Sequence, residues 1–200
     1  MQGTTERTPM KIQYNAPVVL TFALICTLVL LLDAVVPGDL MMFFTVPGHF
    51  SGVLDIPRLF THVLGHAGVM HLYGNMLLIL LLGPILEEKY GAMQLLGMIA
   101  ATALVTGLLN IAFLDSGLLG ASGVVFMMIL LSSITNVRAG MIPLTFILVV
   151  ALWLGQEVWD AMGSDSVSQF AHIVGGGCGA AFGFFGGEAK KKSRQESVSS

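Results

Sequence analysis

The sequence predicts an all-α membrane protein in which six helices form one transmembrane bundle. Two observations predict it: 55% of the 200 residues are hydrophobic and only 10% are charged, and the apolar residues fall in six long runs. A soluble domain usually has about a quarter of its residues charged, whereas a bilayer core about 30 Å thick needs roughly 20 apolar residues per helix. The predicted spans cover residues 17–36, 68–86, 92–114, 119–137, 141–158 and 169–187.

The segments between the spans complete this organisation. Residues 1–15 form a polar arm without the small-residue cleavage signature of a signal peptide, so we expect a cytoplasmic arm that is retained. Residues 37–65 contain three prolines and several phenylalanines, which favours a segment at the membrane interface. The other connections are short, so residues 16–188 are predicted to form one helical domain. The polar, serine-rich tail, residues 189–200, is predicted to be disordered and cytoplasmic.

Lysine and arginine predict the orientation in the membrane. Basic residues precede the first span and follow the second, fourth and sixth, and Arg58 alone lies on the other side. The positive-inside rule then places both termini in the cytoplasm. We expect a multi-pass protein of the plasma (inner) membrane, surrounded by the lipid bilayer and without a nucleic-acid partner. Cys26 and Cys178 both fall in spans, where they favour neither a disulfide nor a metal site.

Three polar side chains lie at one depth in three different spans. Ser122, His172 and His71 each precede by sixteen residues the charged residue that ends their span on the cytoplasmic side. At about 1.5 Å per residue, all three lie roughly 24 Å above that boundary, about 6 Å beneath the outer surface of the core. Asn75 lies one turn from His71 on the same face. Because polar groups inside spans are costly and mark functional sites, this layer is the predicted site.

Ser122 has features of a nucleophile. It lies in the tetrapeptide Gly120-Ala121-Ser122-Gly123, which follows a loop and opens the fourth span. Free N–H groups and the dipole at a helix N-terminus favour an anion, and the flanking glycines leave space for a substrate backbone. The alternative is a small packing serine that bonds to its own helix.

His172 begins a row of glycines at positions 175, 179 and 183, one every turn of the sixth span. Faces of small residues let membrane helices pack closely. Packing of this face on the fourth span would bring His172 within reach of Ser122. The alternative is an interior histidine with a structural role.

Three histidines raise the alternative of a metal site. His62 and His66 have the i, i+4 spacing of metal ligands, and His71 follows closely. No carboxylate or cysteine occupies the next helical turn, and only His71 lies at the deep level. We therefore expect His62 and His66 to line the outer loop, with no metal and no other cofactor. A histidine-based metal- or haem-binding membrane protein is kept as an alternative.

Taken together, residues 58–187 resemble the rhomboid family of intramembrane serine proteases. Three segments carry the resemblance: 66–75 with His71 and Asn75, 120–123 with Ser122, and 171–179 with His172. The resemblance implies a six-transmembrane-helix rhomboid-like bundle. It also implies a serine-type endopeptidase that hydrolyses peptide bonds in or near the transmembrane segments of other membrane proteins.

The resemblance further implies residue roles. Ser122 matches the nucleophile and His172 the base of a Ser-His dyad without a third, acidic member. His71 and Asn75 match side chains that stabilise the oxyanion together with the Ser122 N–H. No cofactor or metal is implied.

Three other positions match the family. Arg58 and Glu87 match structural positions, and Phe126 lies where the family often has tyrosine against the catalytic histidine. The fifth span, with Trp153 and Gln156, is predicted to form the lateral gate for the substrate. The alternative within the family is a rhomboid-like protein that binds membrane segments without cleaving them, which would be expected to lack the serine or the histidine.

Overall fold

The computed structural model describes residues 13–137 and 169–184, together with five positions between them, 144, 147, 148, 151 and 152. Its helices are α1 (Pro17–Val35), α2 (Asp55–Thr61), α3 (Val69–Tyr90), α4 (Ala92–Phe113) and α5 (Ser122–Val137). Two 3₁₀ turns, Leu40–Phe44 and His62–Leu64, flank α2. Residues 169–184 are also helical and are called the 169–184 helix. The described part of the chain is therefore all-helical apart from one antiparallel bridge between Val46 and Leu118.

Three of these helices, α1, α3 and α4, are long and apolar enough to cross a membrane. They correspond to the first three predicted spans, with differences at their ends. The fourth predicted span corresponds to α5, which has 16 residues and begins three residues later than predicted. Most of the fifth, with Trp153 and Gln156, lies outside the described residues, as do residues 1–12 and 185–200. The total of six spans stays a prediction.

Helix α3 is longer than predicted because Glu87 does not mark its end. The helix continues to Tyr90 and stops at Gly91, whose φ of +90° favours glycine. The Glu87 carboxylate is buried at 5% exposure. Its two oxygens accept the backbone N–H groups of Val18 and Val19 at 3.1 and 3.0 Å. Glu87 therefore caps α1 from the end of α3, which accounts for a charged residue inside the bundle.

The main core lies between α1, α3, α4 and α5. It is built from fully buried aliphatic side chains such as Ile79, Leu86, Leu95 and Met127. Gly83 permits the close approach of α1, since a Cβ at this position would lie 2.7 Å from a methyl group of Val19. These contacts join α1, α3, α4 and α5 into one packed unit.

The segment between α1 and α3 exposes aromatic side chains: Phe43, Phe50 and Phe60 are 56%, 51% and 44% exposed. Asp55, in the middle of this segment, is hydrogen-bonded by residues on both sides of it in the chain. Hydrogen bonds from the Ser51 backbone N–H and hydroxyl lower the pKa of the Asp55 carboxyl. Arg58 contacts the other carboxylate oxygen at 2.8 Å. Arg58 thus has a structural contact in this segment.

Candidate active site

Ser122 is the first residue of α5, at the end of a well-fixed turn. Leu118 pairs with Val46 through two backbone hydrogen bonds of 2.9 Å, and the Gly120 N–H donates to the His62 carbonyl at 2.9 Å. Gly120 has φ +118°, a conformation that favours glycine. Ala121 is fully buried, whereas Ser122 is half-buried. The turn therefore presents Ser122 at a helix N-terminus, where first-turn N–H groups have no partner within their own helix.

His71, in the first turn of α3, lies against this turn. A Cβ placed on Gly120 would be 2.6 Å from Cε1 and 2.8 Å from Nε2 of the His71 ring. The Ala67 N–H donates to His71 Nδ1 at 3.4 Å. Because a neutral imidazole carries one proton, this bond places it on Nε2. The Nε2–H of His71 thus lies against Gly120, two residues before Ser122, and a side chain larger than that of glycine at position 120 would overlap the ring.

Asn75 follows His71 by one turn of α3 and is 4% exposed. Its Nδ2 donates to the His71 carbonyl at 3.1 Å. An amide NH₂ has two protons, so this bond leaves the second for another acceptor.

His172 is carried by the 169–184 helix, which packs closely on α5. A Cβ on Gly175 would overlap the Gly123 carbonyl oxygen, and one on Gly179 would overlap that of Met127. The His172 ring stacks on the Phe126 ring, with centroids 4.5 Å apart and an interplanar angle of 14°. The predicted glycine face therefore lies on α5. His172 is placed beside the first turn of that helix.

Three helices thus bring candidate site residues to one place. Ser122 begins α5, His172 stacks on the side chain one turn further along α5, and His71 touches the turn that precedes it. Phe126 keeps the ring contact with His172 without a hydroxyl. An accessible hydroxyl near a helix N-terminus and a neighbouring imidazole are the groups that nucleophilic catalysis requires.

The expectation that His62 and His66 line the outer loop is wrong, because both are buried, at 2% and 1% exposure. His62 begins the 3₁₀ turn after α2, and His66 follows that turn. His62 Nε2 donates to the Ala103 carbonyl of α4 at 3.1 Å. The His66 and His71 rings meet edge to face, with centroids 5.1 Å apart. Among the residues that the structure describes, no three histidine, cysteine or acidic side chains are grouped to hold a metal ion.

Helix α4 carries a row of polar side chains that was not predicted from the sequence. Thr102, Thr106 and Asn110 are at most 2% exposed and lie on one side of the helix. The Thr106 methyl group lies 3.2 Å from where a Cβ of Gly123 would be. The signal was present in the sequence, since the three polar residues recur every four positions in an apolar span.

Because His62 and His66 are buried, we expect the stability of the folded protein to decrease in acid. Burial lowers the pKa of His62 from 6.5 to about 4. Burial, with a smaller contribution from His71, does the same for His66. Between pH 6.5 and 4 the unfolded imidazoles bind protons that the folded ones exclude, so the free energy of unfolding decreases as the pH falls through this range. For His62 alone the loss by pH 4 is roughly 3 kcal/mol.

Thermal unfolding in detergent between pH 7.5 and 4.5 measures this effect. We expect His62→Gln, which keeps an N–H donor but cannot be protonated, to show a smaller loss of melting temperature in acid than the unsubstituted protein. His49→Gln is the matched control because His49 is exposed. Equal acid dependence of all three proteins would contradict the assignment.

These features define an integral membrane protein of packed helices with a serine and two histidines near one helix N-terminus. Comparison with known proteins specifies the family. A rhomboid-domain family model matches residues 53–189. The chain therefore belongs to the rhomboid family.

Curated relatives agree with this membership. The chain is 33% identical over 144 residues to Rhomboid-related protein 2 of Mus musculus. The aligned region covers 64% of this chain and 47% of the relative. It is 26% identical over 164 residues to rhomboid protease GlpG of Serratia proteamaculans, with 80% and 59% covered. It is 28% identical over 174 residues to rhomboid protease GlpG of an Enterobacter species, and this alignment covers 84% of the chain and 62% of the relative. The chain spans about half to three fifths of the length of these relatives.

Proposed function

We propose that this protein is an intramembrane serine endopeptidase that hydrolyses peptide bonds in or near the transmembrane segments of other membrane proteins. The packing of the 169–184 helix on the first turns of α5 carries the proposal. Gly175 lies against Gly123, the residue after Ser122, and His172 stacks on Phe126. The names of the GlpG relatives, each a rhomboid protease, support the same activity.

In the proposed reaction, Ser122 is the nucleophile and His172 the base. The serine oxygen attacks the scissile carbonyl carbon while its proton passes to His172. The C–N bond then breaks as His172 gives this proton to the leaving amine, and an acyl-enzyme remains. A water molecule, deprotonated by His172, attacks the acyl carbon, and the proton returns to Ser122 as the carboxylic acid product leaves. These steps use only the protein's own side chains and water.

The negative charge of each tetrahedral intermediate needs fixed donors. The first-turn N–H of Ser122 and the Nε2–H of His71 are suited to this role because the turn at Gly120 and the bond from Ala67 fix them. The second amide proton of Asn75 completes the proposed set. Such donors are most effective where water is excluded, and Gly120, Ala121 and Asn75 are buried.

The proposed organisation is a six-span catalytic domain over residues 16–188, a cytoplasmic arm over 1–15 and a cytoplasmic tail over 189–200. Both termini then face the cytoplasm and the site opens toward the outer surface of the plasma membrane. A substrate span enters laterally from the bilayer, and the fifth span with Trp153 and Gln156 is the proposed gate.

A serine-directed fluorophosphonate tests the nucleophile directly. The purified full-length protein is treated with the probe and digested, and the modified peptide is identified by mass spectrometry. We expect a single adduct on Ser122. Adducts on Ser116, Ser132 or Ser133 in its place, or no adduct in a protein that cleaves a substrate, would contradict the proposal.

The oxyanion role of α3 predicts a second result. His71→Ala and Asn75→Ala should each lower kcat by roughly 10² to 10³, because one donor is lost and the Ser122 N–H remains. KM should change much less, since the charge develops in the transition state. Tyr73→Ala is the control, because Tyr73 lies between them on α3 but is 61% exposed.

Cleavage of a single-span substrate is also measured with and without chelator. We expect the chelator to have no effect. Loss of activity on chelation would favour a metal enzyme.

A further inference from the structure

The ring of His71, which lies against Gly120, also packs on the ring of His66. The two centroids are 5.1 Å apart with an interplanar angle of 65°, an edge-to-face arrangement that aromatic rings prefer. His66 is 1% exposed, whereas His71 is half-buried. Because a close-packed interior leaves a buried side chain little room to move, His66 is the more rigid member of this pair.

The hydrogen bonds at these two rings are long. The Ala67 N–H donates to His71 Nδ1 at 3.4 Å. His66 Nδ1 lies 3.3 Å from the Leu64 carbonyl oxygen, which can only accept, so this nitrogen carries the proton. Amide and ring N–H donors usually lie about 2.9–3.0 Å from their acceptors, so both bonds restrain the rings weakly. The contact with His66 therefore adds a restraint on the His71 ring.

We propose that His66 is a positioning residue, whose ring holds the His71 imidazole with its Nε2–H directed at the oxyanion of the tetrahedral intermediate. This inference rests on the proposed function, in which His71 is one of the oxyanion donors. The position of that donor matters because hydrogen bonds weaken steeply when their distance or angle departs from the optimum. His66 does not need to touch the substrate for this role.

The protonation of His66 is consistent with a role by contact. Since Nδ1 carries the proton, Nε2 of the neutral ring is an acceptor. This nitrogen is buried and has no hydrogen-bond partner among the residues that the structure describes. Burial lowers the pKa of His66 to about 4, so the ring has no charge near pH 7. Within the described part of the chain, the ring contact with His71 is therefore the way in which the His66 side chain reaches the candidate active site.

Two substitutions separate the ring contact from the bond to Leu64. His66→Phe keeps a planar ring beside His71 and loses the N–H donor, whereas His66→Asn keeps a donor at the place of Nδ1 and loses the ring. Cleavage of a single-span substrate in vesicles is measured for both. We expect His66→Asn to lower kcat by about tenfold to a hundredfold with little change in KM, and His66→Phe to keep most of the kcat. The reverse order would mean that the hydrogen bond to Leu64 is what counts, and the proposal would be wrong.

A double variant shows whether His66 acts through His71. In the His71→Ala background, His66→Asn should lower kcat no further, because the ring that His66 positions is absent. An additional loss of the same size in this background would contradict the proposal. If His66→Asn does not fold, His66→Leu takes its place, since leucine fills the space without a ring, and the same results are expected.

Nitrogen NMR of isotope-labelled histidine rings in the full-length protein tests the positioning without a substrate. The His71 signals are assigned with His71→Ala. We expect these signals to shift or broaden in His66→Asn and to stay close to those of the unsubstituted protein in His66→Phe. Unchanged His71 signals in His66→Asn would overturn the positioning role even if activity fell. If the unsubstituted protein cleaves no substrate, the proposed function fails, while this measurement still decides whether His66 holds the His71 ring.

Discussion

Ser122→Ala is expected to abolish cleavage of a single-span model substrate while the protein still inserts into the membrane and folds. The hydroxyl is the proposed nucleophile, and alanine removes it at a half-buried helix start without adding volume. His172→Ala should cost a similar amount, because the hydroxyl is a poor nucleophile without a neighbouring base. Gel-based cleavage in reconstituted vesicles measures both variants, and their melting temperatures are compared with that of the unsubstituted protein.

The double variant decides whether the two residues act as one unit. Members of a catalytic pair are strongly non-additive, so Ser122→Ala/His172→Ala should be no worse than either single variant. Penalties that multiply in the double variant would mean that His172 acts independently of Ser122. Cleavage retained by Ser122→Ala alone would refute the assignment of the nucleophile.

Gly175→Ala is expected to lower activity by more than about tenfold. The added methyl group would overlap the Gly123 backbone, so the 169–184 helix must move away from α5. This movement separates His172 from the first turn of α5, and small displacements of catalytic groups are costly. The effect should appear in kcat and in the melting temperature, since the packing of the two helices is also disturbed.

Gly177 provides a closely matched control for this variant. It lies on the same helix, two residues further on, but a Cβ there meets no atom within 4 Å. Gly177→Ala should therefore keep full activity, and the higher helix propensity of alanine should leave the stability equal or slightly raised. If both substitutions had the same effect, close packing at Gly175 would not position His172.

The spans and the glycine face were predictable because both depend on local patterns. An apolar run of the right length predicts a helix whatever its neighbours are, and α1, α3 and α4 appear where the runs lie. Gly175 and Gly179 recur on one helical face, and this face packs on α5. Ser122 at a helix start followed from the loop and glycines around it.

The parts that the sequence did not predict depend on tertiary contacts. Glu87 has the side chain expected at an exposed helix end, yet its carboxylate accepts hydrogen bonds from N–H groups nearly 70 residues away in the chain. His62 and His66 are buried through contacts with other helices, His62 with Ala103 of α4 and His66 with His71 of α3, and the local sequence does not show these contacts.

The capping of α1 by Glu87 has a consequence for biosynthesis. Val18 and Val19 are made nearly 70 residues before Glu87, so their N–H groups must remain hydrated at the membrane surface in the meantime. Only when α3 has inserted can the carboxylate bind them and fix the depth of the first helix. Insertion of α1 is therefore expected to be completed after that of α3, so that a protein truncated before residue 87 would hold its first helix less firmly in the membrane.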